Sequence, residues 1–432
     1  MYELKDGIFI TEDTREANSN TYFLKTAQNS KYIDSLSSDV KVITPKELIE
    51  IWGLNDLKVI GITGTNGKTT TAAITYSILT DLGQKAALQG TRGFFVDDKQ
   101  IQSKSLTTPS ILQTLHNMKV AKEMGAKYFV MEVSSHAIDQ NRIEDIEFAL
   151  KVFTNVTQDH LDYHKSIAEY RAVKSRFFAD ESLKLINKDE AKKIVFNTTK
   201  AYTYSLDEPS AFKIEAFSLI DGITAAINHL GEMATFRSNL VGLFNVYNLT
   251  AAIASVKLLT QKPLEEICLA VENFGGVSGR MEVISHNPTV IVDFAHTPDG
   301  MLKVLDSIKD KDIVVVFGAG GDRDKDKRPK MGLAAAKFAK KIYITSDNPR
   351  SEEPQKIIDE IAAPLDGKEN VFKIVDRKEA INRAIKELNP KNEALLILGK
   401  GDEDYIEIDN QKIPFDDREV AREALLNIGV EV

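Results

Sequence analysis

Leu57-Lys-Val-Ile-Gly-Ile-Thr63, running directly into Gly64-Thr-Asn-Gly67-Lys68-Thr69-Thr70, decides the fold. The first half is a short β-branched run of the kind that fills a buried strand. The second is a glycine loop that opens a helical stretch from Lys68 to about Leu82. Strand, glycine loop and helix together start a βαβ unit. Glycines let backbone N–H groups turn inward on phosphate oxygens, and the helix N-terminus adds a favourable dipole. Lys68 can then reach terminal phosphates, and the hydroxyl of Thr69 can ligate Mg²⁺. The general phosphate-loop pattern has glycine at position 62, where this chain has isoleucine, so the loop is a variant. A tight turn with a solvated lysine is the plainer explanation. The placement between strand and helix favours ATP instead, held by Gly64, Thr65, Asn66, Gly67, Lys68, Thr69 and Thr70.

Further buried-strand runs flank this unit at Lys127–Val133 and Ala149–Thr154, with a helical pattern from Pro109 to about Glu123. Upstream, Gly7–Thr11, Thr21–Lys25 and Val40–Ile43 read as strands of a small α/β unit. Downstream, Thr289–Ala295, Asp312–Ala319, Lys341–Asp347, Val371–Asp376 and Ala394–Gly399 alternate with helical Arg328–Lys340, Glu353–Leu365 and Arg377–Leu388. That alternation predicts a doubly wound sheet with ligands at the carboxyl ends of its strands. Glycine-rich Phe274–Arg280 reads as a hinge. The expected architecture is α/β in three domains: a small N-terminal α/β domain over residues 1–54, a central P-loop ATPase-like parallel-sheet domain over 55–276, and a C-terminal Rossmann-like domain over 277–432.

Composition narrows the function classes. The 432 residues are 43% hydrophobic and 28% charged, which suits a globular chain. Net charge is −9, from 55 basic and 64 acidic residues without a basic block, and this disfavours a nucleic-acid coat. The single cysteine, Cys268, excludes an internal disulfide framework. Met1-Tyr-Glu-Leu-Lys-Asp lacks an apolar leader core, and no apolar run is expected to approach the ~18 residues of a membrane span, so a cytoplasmic location is expected.

Three residues outside the loop carry possible chemistry. Glu132 ends an apolar strand inferred to lie parallel to the loop's strand, where a carboxylate faces phosphates and can hold Mg²⁺; an edge or capping glutamate is the alternative. His160, in Asn155-Val-Thr-Gln-Asp-His160, follows the next strand, and a lone histidine there is more often a structural hydrogen-bonder than a ligand. Lys174 lies 14 positions further on; in isolation it is a surface lysine on an amphipathic helix.

Taken together these motifs resemble the Mur ligase family, which joins amino acids to the nucleotide-linked precursor of bacterial peptidoglycan. The carrying stretches are Gly64–Thr70, Glu132-Val-Ser-Ser-His136, Asn155–His160, Lys174, Gly242-Leu-Phe-Asn-Val-Tyr-Asn248, Gly279-Arg-Met-Glu282, Asp293-Phe-Ala-His-Thr-Pro-Asp299 and Gly320–Pro329. Thr107-Thr-Pro109, Ser346-Asp-Asn-Pro-Arg-Ser-Glu-Glu-Pro354 and Gly399-Lys-Gly-Asp-Glu-Asp-Tyr405 look like the members that add a diamino acid to UDP-N-acetylmuramoyl-L-alanyl-D-glutamate.

The resemblance implies a set of roles. Lys68, Glu132, His160 and Lys174 are the catalytic group, with Lys174 carbamylated so that it and His160 hold a second Mg²⁺ while Thr69 and Glu132 hold the first. Asn245, Arg280, Asp293 and His296 lie near ATP. Thr14, Thr107, Thr108, Ser134, Gln140, Arg142 and carbamylated Lys174 hold the muramoyl-dipeptide. Arg323, Asp347, Asn348, Pro349, Arg350, Gly399 and Glu403 hold the diamino acid, and arginine at 350 favours meso-diaminopimelate over L-lysine. The implied enzyme is an ATP-dependent, ADP-forming ligase, a monomer that binds no nucleic acid and does not insert in a membrane. Lysine addition and a folylpolyglutamate-synthase-type ligase are the alternatives. The chain departs from the family at Asp402, where histidine is usual, and at Phe294, where tyrosine is common.

Overall fold

The structure, a computed structural model, describes residues 1–97, 99–103 and 106–430. Its three main sheets follow one another along the chain. The first has four strands in the order Tyr2–Lys5, Ile8–Thr11, Thr21–Leu24, Lys41–Ile43; the first pair is antiparallel and the others parallel. Helix Pro45–Trp52 follows. Its start is fixed by a reciprocal cap in which Thr44 accepts from the Glu47 N–H while Glu47 accepts from the Thr44 N–H at 2.7 Å. Leu48, Ile49 and Trp52 of this helix bury against Leu4, Ile10 and Leu24, and Trp52 Nε1 donates to the Leu4 carbonyl at 3.2 Å.

The central sheet has eleven strands. Lys58–Thr63 lies between Tyr128–Glu132 and Phe148–Phe153, parallel to both. Parallel pairing continues outward to Ala86–Gly90 on one side and through Lys184–Asn187 and Ala201–Ser205 to Phe212–Ser218 on the other. Antiparallel strands extend both edges: Gly93–Val96 with Lys99–Gln102, and Ile223–His229 with Glu232–Ser238. Helices Lys68–Asp81 and Leu243–Thr260 pack on each other over one face, burying Ile74 and Ile78 with Val246, Leu249 and Ile253. The second of these helices corrects one expectation, since it is long and apolar enough to span a membrane. Its burial, 61% of that stretch, makes it a core helix, apolar on all sides because it is covered on most of them.

The third sheet runs Glu282–His286, Thr289–Asp293, Glu393–Leu398, Asp312–Phe317, Ala339–Ile344, Val371–Lys373. The five expected strands are parallel, and antiparallel Glu282–His286 is added at the edge. The late strand Glu393–Leu398 is inserted between two early ones, which opens a crevice at the carboxyl ends where Asp293, Gly318, Asp347 and Gly399 gather. A small hairpin, Tyr405–Ile408 with Gln411–Pro414, stands beside it.

Side chains join the three units, one of them from the phosphate loop itself. Gln28 Nε2 donates to Gln140 Oε1 at 3.1 Å, Asn66 Nδ2 to Asp299 Oδ2 at 3.2 Å, and Lys330 Nζ to Gln158 Oε1 at 3.1 Å.

Candidate functional site

The phosphate loop is braced from behind. Thr65 N and Asn66 N donate to the carbonyl and side-chain oxygens of Asn155, each at 2.9 Å, and Thr154 Oγ1 donates to the Asn66 carbonyl at 2.7 Å. Thr65 and Asn66, expected to bind ATP, therefore spend their N–H groups on the fold. The N–H groups of the helix's first turn, Lys68, Thr69 and Thr70, have no intrahelical acceptor and can serve a phosphate. Gly67 enters that turn at φ +86, and any side chain there would strike Asn248 Oδ1, so Asn248 is the helix residue lying against the loop. Asn245 is turned inward instead: it donates to the Val241 carbonyl at 2.8 Å and accepts from Asn248 at 2.9 Å.

Thr69 Oγ1 donates to Glu132 Oε2 at 2.8 Å, and Thr91 N donates to Glu132 Oε1 at 2.9 Å. Glu132 is buried and fits only because residue 90 is glycine; a Cβ there would overlap its carboxylate. A hydroxyl and a carboxylate held together at a phosphate loop suit a hard, oxygen-preferring divalent cation.

Lys174 is not on the surface. It is 1% exposed, donates to the Gly64 carbonyl at 3.0 Å, and sits 4.7 Å from the centre of the Tyr170 ring. Burial, and then the charge of Lys68, hold its amine well below the usual lysine range. His160 has a left-handed backbone, φ 54, and places Nε2 3.4 Å from Asp159 Oδ2. Burial pulls His160 down to about 4 despite the Asp159 charge, so the imidazole is neutral near pH 7. Asp159, buried and down at about 2 through the charges of His160, His296 and Lys327, went unassigned in the sequence. Buried Lys327 is a second addition to the site.

Five of the residues expected to hold the muramoyl-dipeptide, Thr107, Thr108, Ser134, Gln140 and Arg142, form one connected patch. Thr107 Oγ1 lies 3.1 Å from Thr91 Oγ1. Thr108 Oγ1 donates to the Glu132 carbonyl at 2.9 Å and accepts from Ser134 N at 3.0 Å. Arg142 donates to the Thr108 carbonyl and to Gln140 Oε1, both at 2.9 Å. Thr14 lies on the N-terminal loop after Asp13, which forms a fork with Arg15. That loop is tied by Asn29, whose Nδ2 donates to the Glu12 carbonyl at 3.1 Å, a role too degenerate in sequence to read.

In the C-terminal unit, Arg280 lies with its guanidinium 4.0 Å from the centre of the Phe294 ring. Its buried Nε has no hydrogen-bond partner among the described residues, leaving a donor for an anionic ligand. His296 Nδ1 is 3.0 Å from the Phe294 carbonyl, and burial lowers its pKa, so Nε2 is left as an acceptor. Asp293 is committed to the fold, accepting from Met281 N at 2.8 Å and Ala295 N at 2.7 Å.

Around the Asp347–Arg350 turn the charges are laid out in sequence. Asn348 Oδ1 accepts from buried Lys400 Nζ at 3.1 Å and from Glu407 N at 2.9 Å, while its Nδ2 donates to Glu403 at 2.9 Å. Lys400 also contacts Glu403 Oε2 at 3.1 Å and Asp347 Oδ1 at 3.8 Å. Arg350, at φ 53, gives Nε to Glu407 at 3.1 Å and Nη1 to the Gly321 carbonyl at 2.8 Å. Pro349 fixes the turn between them, and Gly399 faces the Asp347 carboxylate. Arg323 is exposed on the neighbouring loop, with Nη1 on its own chain at the Asp322 carbonyl. Asp402, the family departure, is buried beside Gly279 and Arg418 at the hinge. Lys400 and Glu407 are the residues here that motif reading left out.

Residues 62–256 match the Mur ligase middle domain, and residues 279–401 match the Mur ligase glutamate ligase domain. The chain belongs to the Mur ligase family. A protein of Wolinella succinogenes named UDP-N-acetylmuramoyl-L-alanyl-D-glutamate–2,6-diaminopimelate ligase is 51% identical over 420 residues, covering 96% of each chain. One of the same name from Helicobacter hepaticus is 48% identical, covering 98% of this chain and 97% of its own. A solved structure of a ligase so named superposes with a TM-score of 0.69 at 28% identity, over 98% of this chain and 96% of the other. A Mycobacterium tuberculosis folylpolyglutamate synthase complexed with ADP and AMPPCP also reaches 0.69, at 18% identity over 90% of this chain and 94% of its own, a likeness of fold alone.

Proposed function

We propose that this chain is the ATP-dependent ligase that joins meso-2,6-diaminopimelate to the D-glutamyl carboxylate of UDP-N-acetylmuramoyl-L-alanyl-D-glutamate. It forms ADP and phosphate and acts as a monomer in cytoplasmic peptidoglycan precursor synthesis. The observation that carries the choice of amino acid is the charge layout round Asn348. Arg350, braced by Glu407 and the Gly321 carbonyl, offers a guanidinium matched to the distal carboxylate, and Asp347 and Glu403, two carboxylates around the single ammonium of Lys400, suit a further ammonium. L-Lysine lacks that carboxylate, so it would add nothing to the bonds Arg350 already makes with Glu407 and the Gly321 carbonyl.

Chemistry follows from the loop. The γ-phosphoryl group of ATP passes to the D-glutamyl carboxylate, giving an acyl phosphate and ADP. The amine then attacks the acyl carbon, loses a proton, and phosphate leaves. Lys68 and the first-turn N–H groups stabilise negative charge on the transferring group. Thr69 with Glu132, and His160 with carbamylated Lys174, would hold two Mg²⁺ ions, which supply further charge neutralisation. The depressed amine of Lys174 supports carbamylation, because only a neutral amine adds to CO₂, forming an N–C bond and releasing one proton. Arg142 and its connected threonines suit the anionic muramoyl-dipeptide.

The acyl phosphate is tested by trapping. With ATP, Mg²⁺, the UDP-muramoyl-dipeptide and hydroxylamine in place of the amino acid, the D-glutamyl hydroxamate is expected with one ADP per hydroxamate. ADP release with no hydroxamate would overturn the acyl-phosphate route.

A further inference from the structure

Arg377 and Asp417 form an ion pair that no part of the reaction uses, and both side chains are 0% exposed. Arg377 gives Nε to Asp417 Oδ1 at 2.7 Å and Nη2 to Oδ2 at 2.6 Å, a paired fork. Its remaining bonds go to two backbone carbonyls: Nη1 to Ser346 at 3.1 Å and Nη2 to Leu398 at 3.0 Å. Those two carbonyls have a specific place. Ser346 immediately precedes Asp347, and Leu398 immediately precedes Gly399, so one guanidinium holds the points where both proposed amino-acid loops leave their strands.

The pair has no evident local purpose. Arg377 is the first residue of helix Arg377–Lys386, where the helix dipole disfavours a cation. Buried ion pairs are also commonly replaceable by apolar residues without loss of stability. What an apolar pair could not do is bond two strand-end carbonyls at once. The Arg377 charge also bears on the site, since it helps hold the Asp347 carboxyl below its usual range. The geometry points to Arg377 and Asp417 as positioning residues that fix the spacing between the Asp347–Arg350 loop and the Gly399–Glu403 loop, and hence the choice of amino acid. This rests on the reading that those loops take diaminopimelate.

The test uses the full chain in two forms, Asp417→Asn and the apolar replacement Arg377→Met with Asp417→Leu. KM is measured for meso-diaminopimelate, ATP and the UDP-muramoyl-dipeptide, with the ratio of kcat/KM for meso-diaminopimelate over L-lysine and a melting curve. The expected result is a KM for meso-diaminopimelate raised about tenfold or more and a lowered ratio, with the other two KM values within about twofold. An unchanged KM for meso-diaminopimelate in a folded variant, or all three constants rising together, would overturn the assignment. Loss of folding in both variants would do so too, making the pair a stability element. Absence of product from the unmodified chain with meso-diaminopimelate would instead overturn the ligase reading itself.

Discussion

Lys68 and Lys174 donate to the same oxygen, the Gly64 carbonyl, each at 3.0 Å. Two ammonium groups on one acceptor repel, and with burial this keeps Lys174 uncharged more readily than Lys68. Lys174 is thereby prepared for carbamylation. Lys174→Gln is expected to lower kcat about 100-fold, the scale of losing one stabiliser of developing charge. Protein equilibrated with ¹³C-bicarbonate should give a carbamate carbon signal that the variant lacks. Full activity in the variant would contradict this role.

Gly90 is a second point of control. A methyl at residue 90 would press on the Glu132 carboxylate that faces Thr69. Gly90→Ala is expected to lower kcat by about 10- to 100-fold and to weaken the apparent Mg²⁺ requirement curve, with little change in KM for the amino acid. A Mg²⁺ titration of initial rates checks it; an unmoved curve would remove Glu132 from the metal site.

Arg350 should act on selectivity. Arg350→Ala removes a charged hydrogen bond of ~1.5–3 kcal/mol, so KM for meso-diaminopimelate should rise roughly 10- to 100-fold with KM for ATP unchanged. Initial rates over a range of amino-acid concentrations decide this, and equal KM values in the two proteins would dismiss Arg350 as the selector.

Glu352 ties stability to pH. Arg328, buried at 0% exposure, bonds its carboxylate and holds it down at about 2. Because the folded pKa lies below the unfolded value of ~4.3, the stabilisation is complete above about pH 5 and is lost as pH falls towards 2; it is on the order of 2 kcal/mol at neutral pH. Urea melts should show Glu352→Gln less stable than the unmodified chain at pH 7, with the gap closing below about pH 4. A gap independent of pH would mean that charge is not its cause.

Much of this was legible in the sequence. Lys58–Thr63, Tyr128–Glu132 and four of the five parallel strands of the last sheet are mostly apolar runs buried along most of their length, and such runs announce themselves; the fifth, Val371–Lys373, is only partly buried. The strands Phe212–Ser218, Ile223–His229 and Glu232–Ser238 and the hairpin Tyr405–Pro414 were not read, because their outward-facing residues are exposed and largely polar or small, so that they lack the continuous apolar run of a strand buried on both faces. Within the site, residue type misled in both directions. Lys174, Lys400 and Arg377 look like surface cations and are buried, since only the tertiary fold supplies their acceptors. Thr65 and Asn66 look like phosphate ligands, yet their N–H groups are taken by Asn155, in the loop after strand Phe148–Phe153 and about ninety residues further along the chain.

The most direct measurement is product mass and phosphate release with ATP, Mg²⁺ and UDP-N-acetylmuramoyl-L-alanyl-D-glutamate, run in parallel with meso-diaminopimelate, L-lysine or no amino acid. The expected result is one phosphate per amide and a product only with meso-diaminopimelate. A product with L-lysine instead would contradict the reading of Arg350, and no product with either amine would contradict the ligase assignment itself.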